Sequence, residues 1–164
     1  MMKLANVKRR SGFSLVELVI VVAIIAIIGA IAIPRMSRGA AGAADSALIG
    51  DLAVLRNAIE LYAAEHNGDF PDAATFEAQL TEFTDADGAT SATKDATHIY
   101  GPYIRRIPPL PVGTNRTETG IADASTDTIG DAGAGWFYDA AAGTIRANLA
   151  DAEDDATERA YNAY

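Results

Sequence analysis

The sequence predicts an α+β protein: a long N-terminal α-helix, its first half suited to a membrane, carrying a small antiparallel sheet head. Three observations predict it. Residues 13–33 form a nearly unbroken apolar run. Helical periodicity returns after Pro34 and continues to Tyr62. Two strand-like segments flanking residues 139–143 read as a β-hairpin.

The composition fits that division. The chain has 164 residues, which suits one domain. Its 13 Lys+Arg stand against 22 Asp+Glu, a net charge of −9, yet mean hydropathy is +0.08. An acidic chain with positive mean hydropathy averages two unlike segments. The charge argues against sequence-independent nucleic-acid binding, which needs Lys and Arg to neutralise phosphates. With no cysteine there is no disulfide framework, thiolate metal site or Cys nucleophile.

Residues 1–12 hold Lys3, Lys8, Arg9 and Arg10 and no acid. The run that follows has 21 residues with one charge, Glu17. As a helix it would be about 32 Å long, the thickness of a bilayer's hydrocarbon core. A soluble core helix would show a polar face every three or four residues, and residues 18–28 show none. The basic flank predicts a cytoplasmic N-terminus, weakened but not reversed by Arg35 and Arg38.

Three fates compete for this segment: an uncleaved signal anchor, a secretory signal peptide cut after Ala30-Ile31-Ala32, or cleavage near Gly12. The third rests on Arg9-Arg10-Ser11-Gly12 followed by Phe13-Ser14-Leu15-Val16-Glu17-Leu18. This boundary resembles the class III signal of type IV pilins and of the pseudopilins of type II secretion. The resemblance implies that a prepilin peptidase cuts between Gly12 and Phe13 and that Phe13 is N-methylated. It makes Glu17 the fifth mature residue, which registers incoming subunits during filament assembly. Pro34 falls where many family members bend the helix.

Charge supports a partner for Glu17. A carboxylate near the centre of a membrane costs roughly 2.5–3.5 kcal/mol, less toward the end. No Lys, Arg or His lies between Phe13 and Pro34 to offset it. Cleavage after Gly12 creates the α-amino group of Phe13. Along one helix that amine lies about 6 Å away, so a neighbouring subunit's amine is the better partner. Snorkelling of Glu17 to the headgroups is the other reading.

Past Pro34, Leu48, Leu52, Leu55, Ile59 and Tyr62 make one helical stripe, with Asp51, Arg56, Glu60 and Glu65 off it. Asn67-Gly68 and Phe70-Pro71 end the pattern. A helix over residues 13–66 is expected, bent or locally melted near Pro34. A short coiled coil is the alternative for the stripe. The stretch from Leu61 to Pro71 also resembles the end of the long pseudopilin helix.

Beyond it, Asp72 is expected to cap a short helix with Phe76, Leu80 and Phe83 on its apolar face. Residues 84–98 read as a polar linker. Tyr100-Gly101-Pro102-Tyr103 and Ile107-Pro108-Pro109-Leu110-Pro111 read as extended chain, because Pro recurs. Residues 114–134 read as a long loop. Trp136-Phe137-Tyr138 and Thr144-Ile145-Arg146-Ala147-Asn148 flank the hairpin turn. The tail from Asp151 is acidic and is expected to fray. The domain reading is therefore a leader at 1–12, a membrane and polymerisation helix at 13–33, its amphipathic continuation at 34–67, a head at 68–150 and a tail at 151–164.

Asp123, Asp127 and Asp131 lie in the long loop. Hard oxygen ligands on a flexible loop suit Ca²⁺, though the spacing is not that of an EF-hand and acidic loops are commonly just solvated. Major pseudopilins hold calcium just before their last strands, so the resemblance implies calcium there. Asn115-Arg116-Thr117 matches a glycosylation triplet. His66 and His98 are the only histidines and have no metal-ligand spacing. No nucleophile elbow or phosphate loop is present, so no enzyme activity is expected.

The absence of cysteine favours the major pseudopilin type over many true type IV pilins. The resemblance implies an inner-membrane protein with a cytoplasmic N-terminus and a periplasmic head. Its expected partners are other copies in a homopolymer, minor pseudopilins, prepilin peptidase and the inner-membrane secretion platform. A pilin for adhesion or motility and a monomeric membrane-anchored binding domain are the alternatives. Removing residues 1–12 leaves 9 basic residues against 22 acids, or −13, most of it on the head.

Overall fold

The structure is a computed structural model that describes residues 12–151, 153–155 and 157–164, with the side chains of residues 32–38 also outside the description. The leader residues Lys3, Lys8, Arg9 and Arg10 therefore lie outside the described residues. The chain forms two compact units, Met1–Gly39 and Ala40–Tyr164.

Helix α1 spans Leu15–Glu65 and is unbroken at residue 34. The expected local melting does not occur. One proline removes one backbone bond, and the flanking turns keep theirs. The expected bend concerns Pro34, whose side chain lies outside the described residues.

Within the second unit the stripe is the core. Leu48, Leu52, Leu55, Ile59 and Tyr62 are all buried, while Arg56, Glu60 and Glu65 face outward. The helix stops as its residues dictate. Asn67 adopts the left-handed region at φ 58°, and the Gly68 N–H donates to Ala63 O at 2.8 Å. This closes a Schellman-type cap. Buried His66 stacks on Tyr62 at 3.8 Å, and its ring nitrogens lie 2.8 Å from Tyr62 O and 2.9 Å from Asp85 O.

A 3₁₀ turn at Ala73–Thr75 leads into helix α2 at Phe76–Thr81. Asp72 precedes the turn but makes no side-chain cap. Instead its N–H donates to the Gln79 side chain at 2.8 Å. Phe76 and Leu80 are buried as expected, but Phe83 is not on the helix. It starts strand β1, Phe83–Thr84, which pairs antiparallel with β2, Thr90–Ser91. The expected polar linker thus contains a small hairpin. Its pairs are too short to leave an alternating pattern in the sequence.

The main sheet has the order β3-β4-β5, with β3 at Ile121–Asp123, β4 at Trp136–Asp139 and β5 at Thr144–Ala147. β4 and β5 form the expected antiparallel hairpin. Gly143 turns it at φ 64°, and a Cβ there would meet the Phe70 ring at 2.4 Å. β3 is a departure. It lies in the expected loop and pairs with β4 in parallel, across a 12-residue crossover, residues 124–135. Its three residues carry little apolar signal, so backbone pairing decides it.

The proline-rich stretch is extended, as expected. It is tied down where the Tyr103 and Ile104 N–H groups donate to Leu80 O and the Trp136 indole donates to Pro108 O at 2.8 Å. Tyr138 packs on Phe76 at 4.5 Å and donates its hydroxyl to Pro71 O.

The described residues of the tail are docked rather than frayed. Asp154 bridges to Ala160, Asn162 is buried, and the Tyr161 hydroxyl donates to Asp45 of α1 at 2.9 Å. Arg56 of α1 donates to the Tyr164 carbonyl. The Tyr164 hydroxyl, with Thr157 and the Arg159 N–H, holds the Asp155 carboxyl well below the usual carboxylate range. Acids read from the sequence as solvated charges are here acceptors that shape the tail.

Candidate processing and assembly site

The candidate site begins at the first described residues. Gly12 is exposed and outside any helix, and Phe13 is 80% exposed. A peptide bond between them would therefore be reachable. Ser14 precedes α1, and its N–H donates to the Glu17 carboxylate at 3.4 Å. Ser14-Leu15-Val16-Glu17 has the spacing of a capping box, and this bond is the half made by its third helical residue. The signal for it is local, Ser and Glu three positions apart at the start of the apolar run.

That geometry amends the expectation for Glu17. The carboxylate turns back to the residue adjoining Phe13, so the axial separation of about 6 Å does not keep it away from the first turn. Glu17 thus already serves one function inside the chain, as an acceptor for an N–H that the helix leaves unpaired.

The stem that follows is apolar on every side. Leu15, Val16, Val19, Val22, Ile25 and Ile28 span all its faces, and each is more than half exposed. A helix apolar all round requires lipid or other apolar helices. Among the described residues no helix is long and apolar enough to cross a membrane. The apolar stretch with described side chains, residues 15–31, numbers 17, and the run continues in sequence through Ala32 and Ile33.

The loop aspartates are placed apart in function. Asp123 accepts from the Ser125 N–H, which holds its carboxyl below the ordinary range. Asp127 accepts from the Asp123 N–H at 2.7 Å and Asp131 from the Thr128 N–H at 3.3 Å. Among the described residues no group of three or more His, Cys, Asp or Glu side chains is placed to hold a metal ion.

Two asparagines organise this loop instead, and the sequence reading missed both. Asn148, fully buried, donates to Asp131 O and Ala134 O and accepts from the Gly130 N–H at 2.7 Å. Asn115 donates to Asp131 O and Asn148 O. Asn115 is buried and both its donors are used, so the glycosylation triplet around it serves packing. No local pattern announces the pair, because the partners lie 14–33 residues away. Since the hydrogen bonds of Asn115 and Asn148 hold the loop, excess EDTA should leave the melting temperature unchanged within about 1 °C, on a scale where 1 kcal/mol moves it by several degrees. A larger fall would restore calcium.

Comparison with known proteins bears on the stem. Residues 7–33 match the family described as the prokaryotic N-terminal methylation motif. No curated protein and no solved structure matches the chain. The matched segment contains Gly12, Phe13 and Glu17, and it makes the N-terminal region a class III signal of the type IV pilin-like kind.

Proposed function

We propose that this chain is the structural subunit of a type II secretion pseudopilus, a non-enzymatic protein that works by polymerisation. The observation carrying this reading is a methylation motif running into a stem apolar on all sides. Prepilin peptidase cuts between Gly12 and Phe13 and methylates Phe13. The subunit waits in the inner membrane, stem in the bilayer and head in the periplasm. On assembly the stem leaves lipid and packs against other stems. Minor pseudopilins and the inner-membrane platform begin and drive that step, and the growing filament moves folded substrates outward.

Polymerisation suits the stem physically. Lipid tails are as apolar as its side chains, so close packing and the pairing of Glu17 decide association. The lack of cysteine favours a secretion subunit over a disulfide-closed adhesive or motility pilin. Mass spectrometry of the membrane form tests the processing step. The expected N-terminus is methyl-Phe13, and Gly12→Val should leave it intact from Met1. An N-terminus at Met1 in the wild type would mean an anchored monomer, and one at Ile33 a signal peptide. Deleting the gene should abolish secretion and leave surface motility intact; the opposite result assigns a motility pilin.

A further inference from the structure

The second compact unit, residues 40–164, which is the head with its helix and tail, carries 7 Lys+Arg against 21 Asp+Glu. Copies of such a head repel each other unless their few cations meet acids of a neighbour. A groove of about 420 Å³ opens between α1 and the proline-rich stretch. Val54, Pro108 and Pro109 give it apolar walls, and the exposed Arg106 and Arg116 stand on it. Among the described residues neither guanidinium forms an ion pair. The acid lining this groove, Asp51, forms no ion pair with either of them among the described residues.

The turn joining β1 to β2, Asp85-Ala86-Asp87-Gly88, has the opposite character. Asp85 accepts from the Asp87 and Ala89 N–H groups and so builds the turn. Asp87 is left exposed at its tip, outside any ion pair among the described residues. The cation on this hairpin side, Lys94, lies over the Phe83 ring at 6.0 Å. His66 holds the turn beside the end of α1, whereas the groove lies beside Asp51 and Val54. The two are about 20 Å apart along the helix, so one copy cannot bring its own turn to its own groove.

We infer that the Arg106/Arg116 groove receives the Asp87 turn of a second copy displaced along the helix axis. This rests on the filament reading above. The contact is head-to-tail, uses two different patches, and does not close on itself, which is the geometry that builds filaments. Exposed ion pairs add little strength individually. Their effect is to set register and exclude wrong placements, repeated at every subunit.

The test uses the full chain in cells that carry its processing and assembly machinery. Arg106→Glu with Arg116→Glu should lower sedimentable filaments about tenfold or more, as should Asp87→Arg, and combining all three should restore them to within about threefold, as expected for coupled partners. Each variant should keep its processed N-terminus and its melting temperature. Since the chain has no cysteine, Asp87→Cys with Arg106→Cys should give an oxidation-dependent ladder of dimers and higher species, and each single variant none. Wild-type filaments accompanied by unaffected reversals, or by no ladder, overturn this inference alone. Processed wild-type chain that never forms filaments overturns the filament reading and this inference with it.

Discussion

Glu17→Gln should enter the membrane, be cleaved after Gly12 and start its helix normally, yet fail to assemble. Two roles meet in this side chain. One is the acceptor for the Ser14 N–H. Glutamine fills that role as well as glutamate in a capping box. The other is a negative charge in an apolar segment, which glutamine lacks. Carrying that charge into or near a membrane is costly, so its retention points to a cationic partner. The α-amino group of Phe13, on the same or a neighbouring subunit, is the cation that processing creates. A hydrogen bond to a charged group is worth about 1.5–3 kcal/mol, so filament yield should fall roughly 10- to 150-fold. Glu17→Ala loses both roles. It should show the same assembly defect with a frayed first turn as well, a further cost of about 0.5–1 kcal/mol. Sedimentation and immunoblotting of membrane and filament fractions measure both. Wild-type yield from Glu17→Gln would leave capping as the role of this residue and remove charge pairing.

The second large effect is expected at Asn148. Asn148→Ala removes three side-chain hydrogen bonds and strands part-buried partners, including the Gly130 N–H and the Ala134 carbonyl. At about 1 kcal/mol each, plus the cost of unsatisfied groups, the head should lose about 2–4 kcal/mol. Its melting temperature should fall by roughly 10 °C. Asn148→Asp should be at least as harmful, because a carboxylate cannot donate to the two carbonyls. Asn115→Ala should cost less, since part of its clamp is shared. Thermal melts of the full chain in detergent check the order. An undisturbed melt for Asn148→Ala would mean that the loop is held by other contacts.

How much could be read in advance follows from the range of each interaction. The all-round apolar character of the stem was legible because it is a property of consecutive residues. The stripe from Leu48 to Tyr62 was legible because a helix buries one face at a fixed period, and all five residues are in the core. The β4–β5 hairpin was legible from its local turn. Elsewhere the signal was absent or distributed. Asp123, Asp127 and Asp131 invite a calcium reading because acids on a loop suit that ion, while the N–H bonds each accepts arise only once the loop is folded. The tail looked solvated because its charges are plain in sequence, while its anchors, Asp45 and Arg56, lie about a hundred residues earlier.

The residues alone carry the long helix, its apolar stem and the acidic head. These follow from local periodicity, hydropathy and spacing. Only the tertiary structure decided that β3 joins the sheet in parallel, that Asn115 and Asn148 clamp the loop, and that the tail docks on α1. It alone set the Arg106/Arg116 groove and the Asp87 turn at different levels of one helix. Those outcomes depend on which distant backbone groups and charges meet once the core closes. The pairing free energy belongs to the meeting and is not encoded in either segment alone.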